Sequence, residues 1–137
     1  MDTTIVLCLY YCICRIKILI LRQNKFKMAK ELLIDFFDCN VLTLNDVDKL
    51  KAITKKIVEG INSKIVEETW HCFSPVGVTY VAVIAKSHVA IHTWPEKKVA
   101  AIDIFSCDDL IPDNFIKNIQ DELEAKDFKL QTVLRNI

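Results

Sequence analysis

Two amphipathic helical stretches set among six short β-rich runs predict an α+β fold: a two-layer sandwich in which a mostly antiparallel sheet carries two helices on one face. Three observations lead there. The chain has 137 residues, 52% of them apolar, which suits one compact domain and excludes a multidomain machine. Most of the β-rich runs follow one another across short turns rich in Pro, Gly or charge. Only two stretches show apolar side chains recurring at three- and four-residue spacing.

The regular pattern begins at Met28. Glu31 to Phe37 is an aliphatic and aromatic run suited to a strand, ending in the turn-like cluster Asp38, Cys39, Asn40. A helix follows, capped by Asn45 or Asp46, with Val47, Leu50, Ile53, Ile57, Val58 and Ile61 on one face and Gly60 near its stop. Lys64 to Phe73 alternates weakly, with Val66, Trp70 and Cys72 on one side, and Pro75 with Gly77 then turns the chain into Val78 to Ala85. His88 to Trp94 and Val99 to Phe105 are two more strands, separated by Pro95, Glu96, Lys97 and Lys98. Pro112 stands at a helix start, Phe115, Ile116, Ile119 and Leu123 mark the second helix, and Phe128 to Leu134 is the last strand. Helices on one side only leave the other sheet face without a cover, which suggests dimerisation through it.

The 18 basic and 18 acidic side chains are mixed along the chain, so no electropositive face for nucleic acid is implied. With Gly60 and Gly77 as the two glycines, neither a dinucleotide fingerprint nor a phosphate-cradling loop can be written. Residues 1 to 27 differ from the rest: they hold five bases and one acid, and their longest uncharged apolar run is Ile5 to Cys14. That run is short of the roughly 20 residues a bilayer span needs, so no stable membrane span is expected. A secretory signal is a poor fit, because the start Met-Asp-Thr-Thr lacks a basic region. Two readings of this leader stand: a membrane-surface or packing helix with a basic edge, or translated upstream sequence before a working start at Met28. The onset of the fold pattern at Met28 favours the second.

Cys8, Cys12 and Cys14 lie in the leader, while Cys39, Cys72 and Cys107 are scattered without paired spacing, so neither a disulfide framework nor a zinc knuckle is written. A cytoplasmic setting fits best, with Cys39 and Cys72 as small buried side chains.

All three histidines fall between residues 71 and 92. A metal shared by His88 and His92 fails on geometry, because four residues along a strand separate their α-carbons by about 13 Å. No metal is expected. A Ser-His-Asp hydrolase is also a poor fit, since Ser87 and His88 are adjacent and in a strand point to opposite faces.

Four blocks, Phe73-Ser-Pro-Val-Gly77-Val-Thr79, Lys86-Ser-His88, Ile91-His-Thr-Trp-Pro-Glu96 and Ala100-Ala-Ile-Asp-Ile-Phe-Ser-Cys107, together resemble the small prokaryotic-type S-adenosylmethionine decarboxylase proenzymes, a pyruvoyl-dependent family. The resemblance runs from about Met28 to Ile137 and agrees with that family's α/β sandwich. It implies self-cleavage between Lys86 and Ser87, which divides the chain into 1–86 and 87–137 and turns Ser87 into an N-terminal pyruvoyl group that forms a Schiff base with the substrate. None of the twenty side chains carries a ketone, and removing carbon dioxide from an amino acid needs an electron sink at the α-carbon. It further implies that His92 is the acid or base of processing, that Thr79 supplies a processing hydroxyl where a serine is usual, and that Cys107 is the proton donor after decarboxylation. Phe73 would stack on adenine and Glu96 would hold the ribose hydroxyls of S-adenosylmethionine. The expected product is the aminopropyl donor for spermidine, and the expected assembly is a dimer of processed pairs.

Three positions depart from the family pattern: Lys86 replaces an acid, Glu31 a histidine and Tyr80 a glycine, all expected near the site. They keep a pyruvoyl-dependent arginine or ornithine decarboxylase open as an alternative, together with a regulatory relative that does not process itself.

Overall fold

The structure is a computed structural model, and it describes residues 28–107 and 114–136. Strand β1 (Met28–Phe37) leads into a short helix α1 (Val41–Leu44) and a long helix α2 (Val47–Gly60). Strands β2 (Ile65–Cys72), β3 (Val78–Ile84), β4 (Ser87–Trp94) and β5 (Val99–Ser106) follow, then helix α3 (Phe115–Leu123) and strand β6 (Asp127–Asn136). The strands form one sheet in the order β2-β3-β4-β5-β1-β6. Each neighbouring pair is antiparallel. The α+β reading therefore holds, and the sheet is antiparallel throughout its described ladders.

Local chemistry explains the elements. The Asp46 carboxylate caps α2 by accepting from the backbone N–H of Asp48 and Lys49 at 3.0 and 3.1 Å. The Asn40 side chain likewise caps α1, accepting from Leu42 N–H at 2.9 Å. That helix was absent from the sequence expectation because one turn is too short to show a period. Helix α2 carries β1 over the sheet to the far edge strand β2, and α3 carries β5 across to β6. Both helices therefore cover one face. Along β5 the pattern is strict: Ala100, Ile102, Ile104 and Ser106 are buried under the helices, while Val99, Ala101, Asp103 and Phe105 face the other way. Ile34, Phe36, Tyr80, Ile91, Ile102 and Ile104 meet Leu50, Ile57 and Leu123 in the core. Each such large side chain contributes about 1.5–3 kcal/mol by leaving water.

One expectation fails. Cys72 is exposed, whereas Cys39 is buried as expected. The cause is position: β2 is an edge strand whose residues beyond Ile65 are all exposed, and Trp70 retains 45% of its surface. Alternation cannot distinguish an edge strand from a covered one. The leader 1–27 and Pro112 lie outside the described residues.

Candidate active site

The candidate functional side chains collect at the rims of the sheet and on the face that no helix covers among the described residues, in two groups at opposite ends of β4. The first group surrounds the turn from β3 to β4. Here the Lys86 carbonyl accepts a hydrogen bond from the backbone N–H of Cys107 at 3.1 Å, which ties the turn to the end of β5. Ser87 has φ 140°, a conformation that residues with a side chain rarely adopt and that costs of order 1–3 kcal/mol. Its hydroxyl lies 3.5 Å from His88 Nδ1, the outer limit of a hydrogen bond. Ser87 stands opposite Ser106 in the ladder, and Cys107 follows immediately. The bond before Ser87 is thus held at its carbonyl and strained at its serine.

The second group surrounds the start of β3 and the end of β4. Thr79 and His92 are paired across these strands, and Thr79 Oγ1 lies 3.0 Å from His92 Nδ1. The hydroxyl donates when that nitrogen is bare, which leaves the Nε2 side of the ring to take or give a proton elsewhere. These two residues, with Phe73, Gly77, Trp94 and Glu96, line a cavity of about 340 Å³. Its walls are fixed by the backbone. Phe73 N–H donates to the Gly77 carbonyl at 2.8 Å, Gly77 N–H donates to Asn45 Oδ1 at 3.0 Å, and Val78 N–H donates to Thr93 Oγ1 at 2.8 Å. Gly77 has φ 110°, and a β-carbon there would come within 3.2 Å of the Thr93 carbonyl, so only glycine suits this rim. Trp94 was not assigned a role from the sequence. It lies two residues beyond His92, and the two rings are 6.4 Å apart; the period of two along a strand is the signal that finds it.

The structure therefore brings Thr79, His92, Phe73 and Glu96 together, and separately Lys86, Ser87 and Cys107. It does not bring the groups to each other. Five residues of strand separate Ser87 from His92, about 16 Å. Tyr80 is not near either group: its ring is fully buried on the helix side, with its hydroxyl donating to Glu68 Oε2. Burial first, and then the neighbouring Glu68 carboxylate, push its ionisation well above the usual phenol range. Lys51 completes that cluster, 3.6 Å from Glu68 Oε1 and 3.6 Å above the Trp70 ring. The expectation that all three departures flank the site is corrected at this position, because residue 80 points the opposite way from residue 79. A larger cavity of about 510 Å³ lies between α2 and α3 and includes none of the residues named for catalysis.

An antiparallel sheet backed by helices on one face, with a strained serine at one strand end and a hydroxyl–imidazole pair at the other, defines the class: a small α+β sandwich with two candidate groups on one strand. The family model described as S-adenosylmethionine decarboxylase matches residues 30–136. The S-adenosylmethionine decarboxylase proenzyme of Acidithiobacillus ferrooxidans is 37% identical over 99 residues, 72% of this chain and 74% of that protein. That of Syntrophomonas wolfei is 36% identical over 111 residues, 80% of this chain and 88% of the relative. The crystal structure of the adenosylmethionine decarboxylase from Aquifex aeolicus superposes with a TM-score of 0.71 at 26% identity, covering 81% of this chain and 92% of that one. The chain belongs to the S-adenosylmethionine decarboxylase family.

Proposed function

We infer that this chain is a self-processing decarboxylase that acts on S-adenosylmethionine through a pyruvoyl group made from Ser87. The observation that carries the reading is the Lys86–Ser87 bond, whose carbonyl is held by the Cys107 N–H at 3.1 Å and whose serine is strained at φ 140°. A hydrogen bond to that oxygen favours attack on the carbonyl carbon, because negative charge develops there. The Ser87 hydroxyl adds to the Lys86 carbonyl, the C–N bond breaks, and an ester replaces the amide. A base then removes the Ser87 α-proton and the Lys86 carboxylate leaves. The remaining enamine takes up water and releases ammonia, so that a ketone stands at the new N-terminus of 87–137.

Residue 87 fits that group: cleavage releases its unfavourable φ, and Cys107 stands beside it at the end of the neighbouring strand. The pyruvoyl carbonyl supplies the electron sink for loss of carbon dioxide. Cys107 donates the proton that replaces it. Phe73 and Glu96 face one cavity with Thr79 and His92, which suits an aromatic base and a hydroxylated sugar.

The separation of about 16 Å along β4 makes a second copy part of the reading. Phe37, Val83, Trp94 and Val133 each expose between 37% and 46% of their surface, and by strand alternation all four belong to the face away from the helices. The reading requires that a second copy, related by a twofold axis, supply Thr79 and His92 to the Ser87 end of the first. Among the described residues no helix is long and apolar enough to cross a membrane. Cys39, Cys72 and Cys107 are unbridged, which supports a reducing cytoplasm.

The test is carbon dioxide release from carboxyl-labelled S-adenosylmethionine, arginine and ornithine by the purified chain. Release from S-adenosylmethionine is expected. Release from only arginine or ornithine would replace the substrate, and no release from any would remove the activity.

A further inference from the structure

We propose that Glu31 is the specificity residue that reads a positive charge on the substrate, and that Arg135 is its internal counter-ion, displaced when a cationic substrate binds. The proposal rests on the decarboxylase reading and adds residues to it. In the ladder, His88 stands opposite Phe105, and Phe105 opposite Glu31. These three side chains form a row on the uncovered face, one residue along from Ser87. Glu31 is two strands from the cleavage strand, roughly 10 Å, which the combined reach of a glutamate and an amino acid charged at its δ atom or beyond can span.

The neighbours of Glu31 across its two ladders are both apolar, Phe105 and Val133. A residue serving only to pack two faces together would be aliphatic there, since a carboxylate that loses water needs a partner. The partner present is weak. Arg135 Nη1 is 3.7 Å from Glu31 Oε2, a single long contact rather than a two-pronged one, and the arginine side chain is 53% exposed. Such exposed pairs contribute little to stability, so exchanging one cation for another is easy. In the same pose its guanidinium carbon lies 5.1 Å from the Phe105 ring centroid. The ring contact does not depend on the carboxylate, so a sulfonium, ammonium or guanidinium can take Glu31 while the arginine keeps its aromatic neighbour.

Calorimetric titration of the purified full chain tests this without turnover, using amines that carry no carboxyl to lose. One arm compares decarboxylated S-adenosylmethionine with the sulfide that keeps its amine but lacks the sulfonium charge; the other compares the diamine left by ornithine with 1-aminobutane, which lacks the far ammonium. In at least one arm the charged ligand should bind about tenfold tighter or more, and Glu31→Gln should bring the pair within about twofold. Arg135→Gln should tighten the charged ligand instead, a sign that misfolding does not produce. A charge preference unchanged by Glu31→Gln, or no preference in either arm, overturns the proposal. Charge preference without carbon dioxide release would sink the decarboxylase reading and leave the role of Glu31 standing; release with a preference indifferent to residue 31 would do the reverse.

Discussion

The two ends of strand β4 are built for different work. At its start, Ser87 is strained and the preceding carbonyl is tied to Cys107 N–H. At its end, His92 is unstrained, paired with Thr79, and set in a walled cavity. In the proposed scheme one end holds the bond to be broken, and the other holds the acid–base pair and the pocket. A strand is a rigid ruler, so these ends cannot approach each other within one chain. The difference teaches that, if both groups serve one centre as proposed, a second copy has to complete it.

Removing the nucleophile gives the largest effect: Ser87→Ala should abolish cleavage entirely, read as a single undivided mass. His92→Ala should slow cleavage by about 10²–10⁴-fold if the imidazole moves the proton. The two variants together break or confirm the comparison directly. Co-expressed, Ser87→Ala and His92→Ala chains should form mixed dimers in which the His92→Ala chain is cut, since it keeps Ser87 and borrows an intact His92. No cutting in the mixture would place the whole centre in one chain. Cys107→Ala keeps the backbone N–H that holds Lys86, so cleavage should survive while kcat falls by about 10²–10⁴-fold; equal loss of cleavage would contradict the division of roles.

Smaller effects belong on the helix side and should leave cleavage alone. Tyr80→Phe removes the donor to Glu68 and should cost about 1–3 kcal/mol in urea unfolding. The Cys39 thiol is pushed up to about 11 from an ordinary 9, first by burial. Its stabilising share is complete below pH 9 and is lost as pH rises toward 11, by about 1–3 kcal/mol. Cys39→Ala should flatten that alkaline decline, measured as denaturation midpoint against pH.

The six strands and two long helices were legible because alternation and the three- and four-residue recurrence are local signals. Asp46 as a cap, and the β5 alternation ending at Ser106 just before Cys107, are read from a few neighbouring residues. Several features escaped for a physical reason. Cys72 and Trp70 look like core residues until the strand order puts β2 on an edge. Tyr80 looked like part of the site from its neighbour Thr79, yet adjacent strand residues face opposite sides. Glu31 and Arg135 meet only because β1 and β6, at opposite ends of the described chain, are paired. The family motifs singled out both groups of residues in the site, but the distance between them is a property of the strand and appears only in three dimensions.

The most direct test is the intact mass of the chain after native purification, before and after borohydride. Two fragments, 1–86 and 87–137, are predicted, with the second gaining the mass of added hydrogen at an N-terminal carbonyl. A single 15.8 kDa chain that borohydride leaves unchanged would contradict the account.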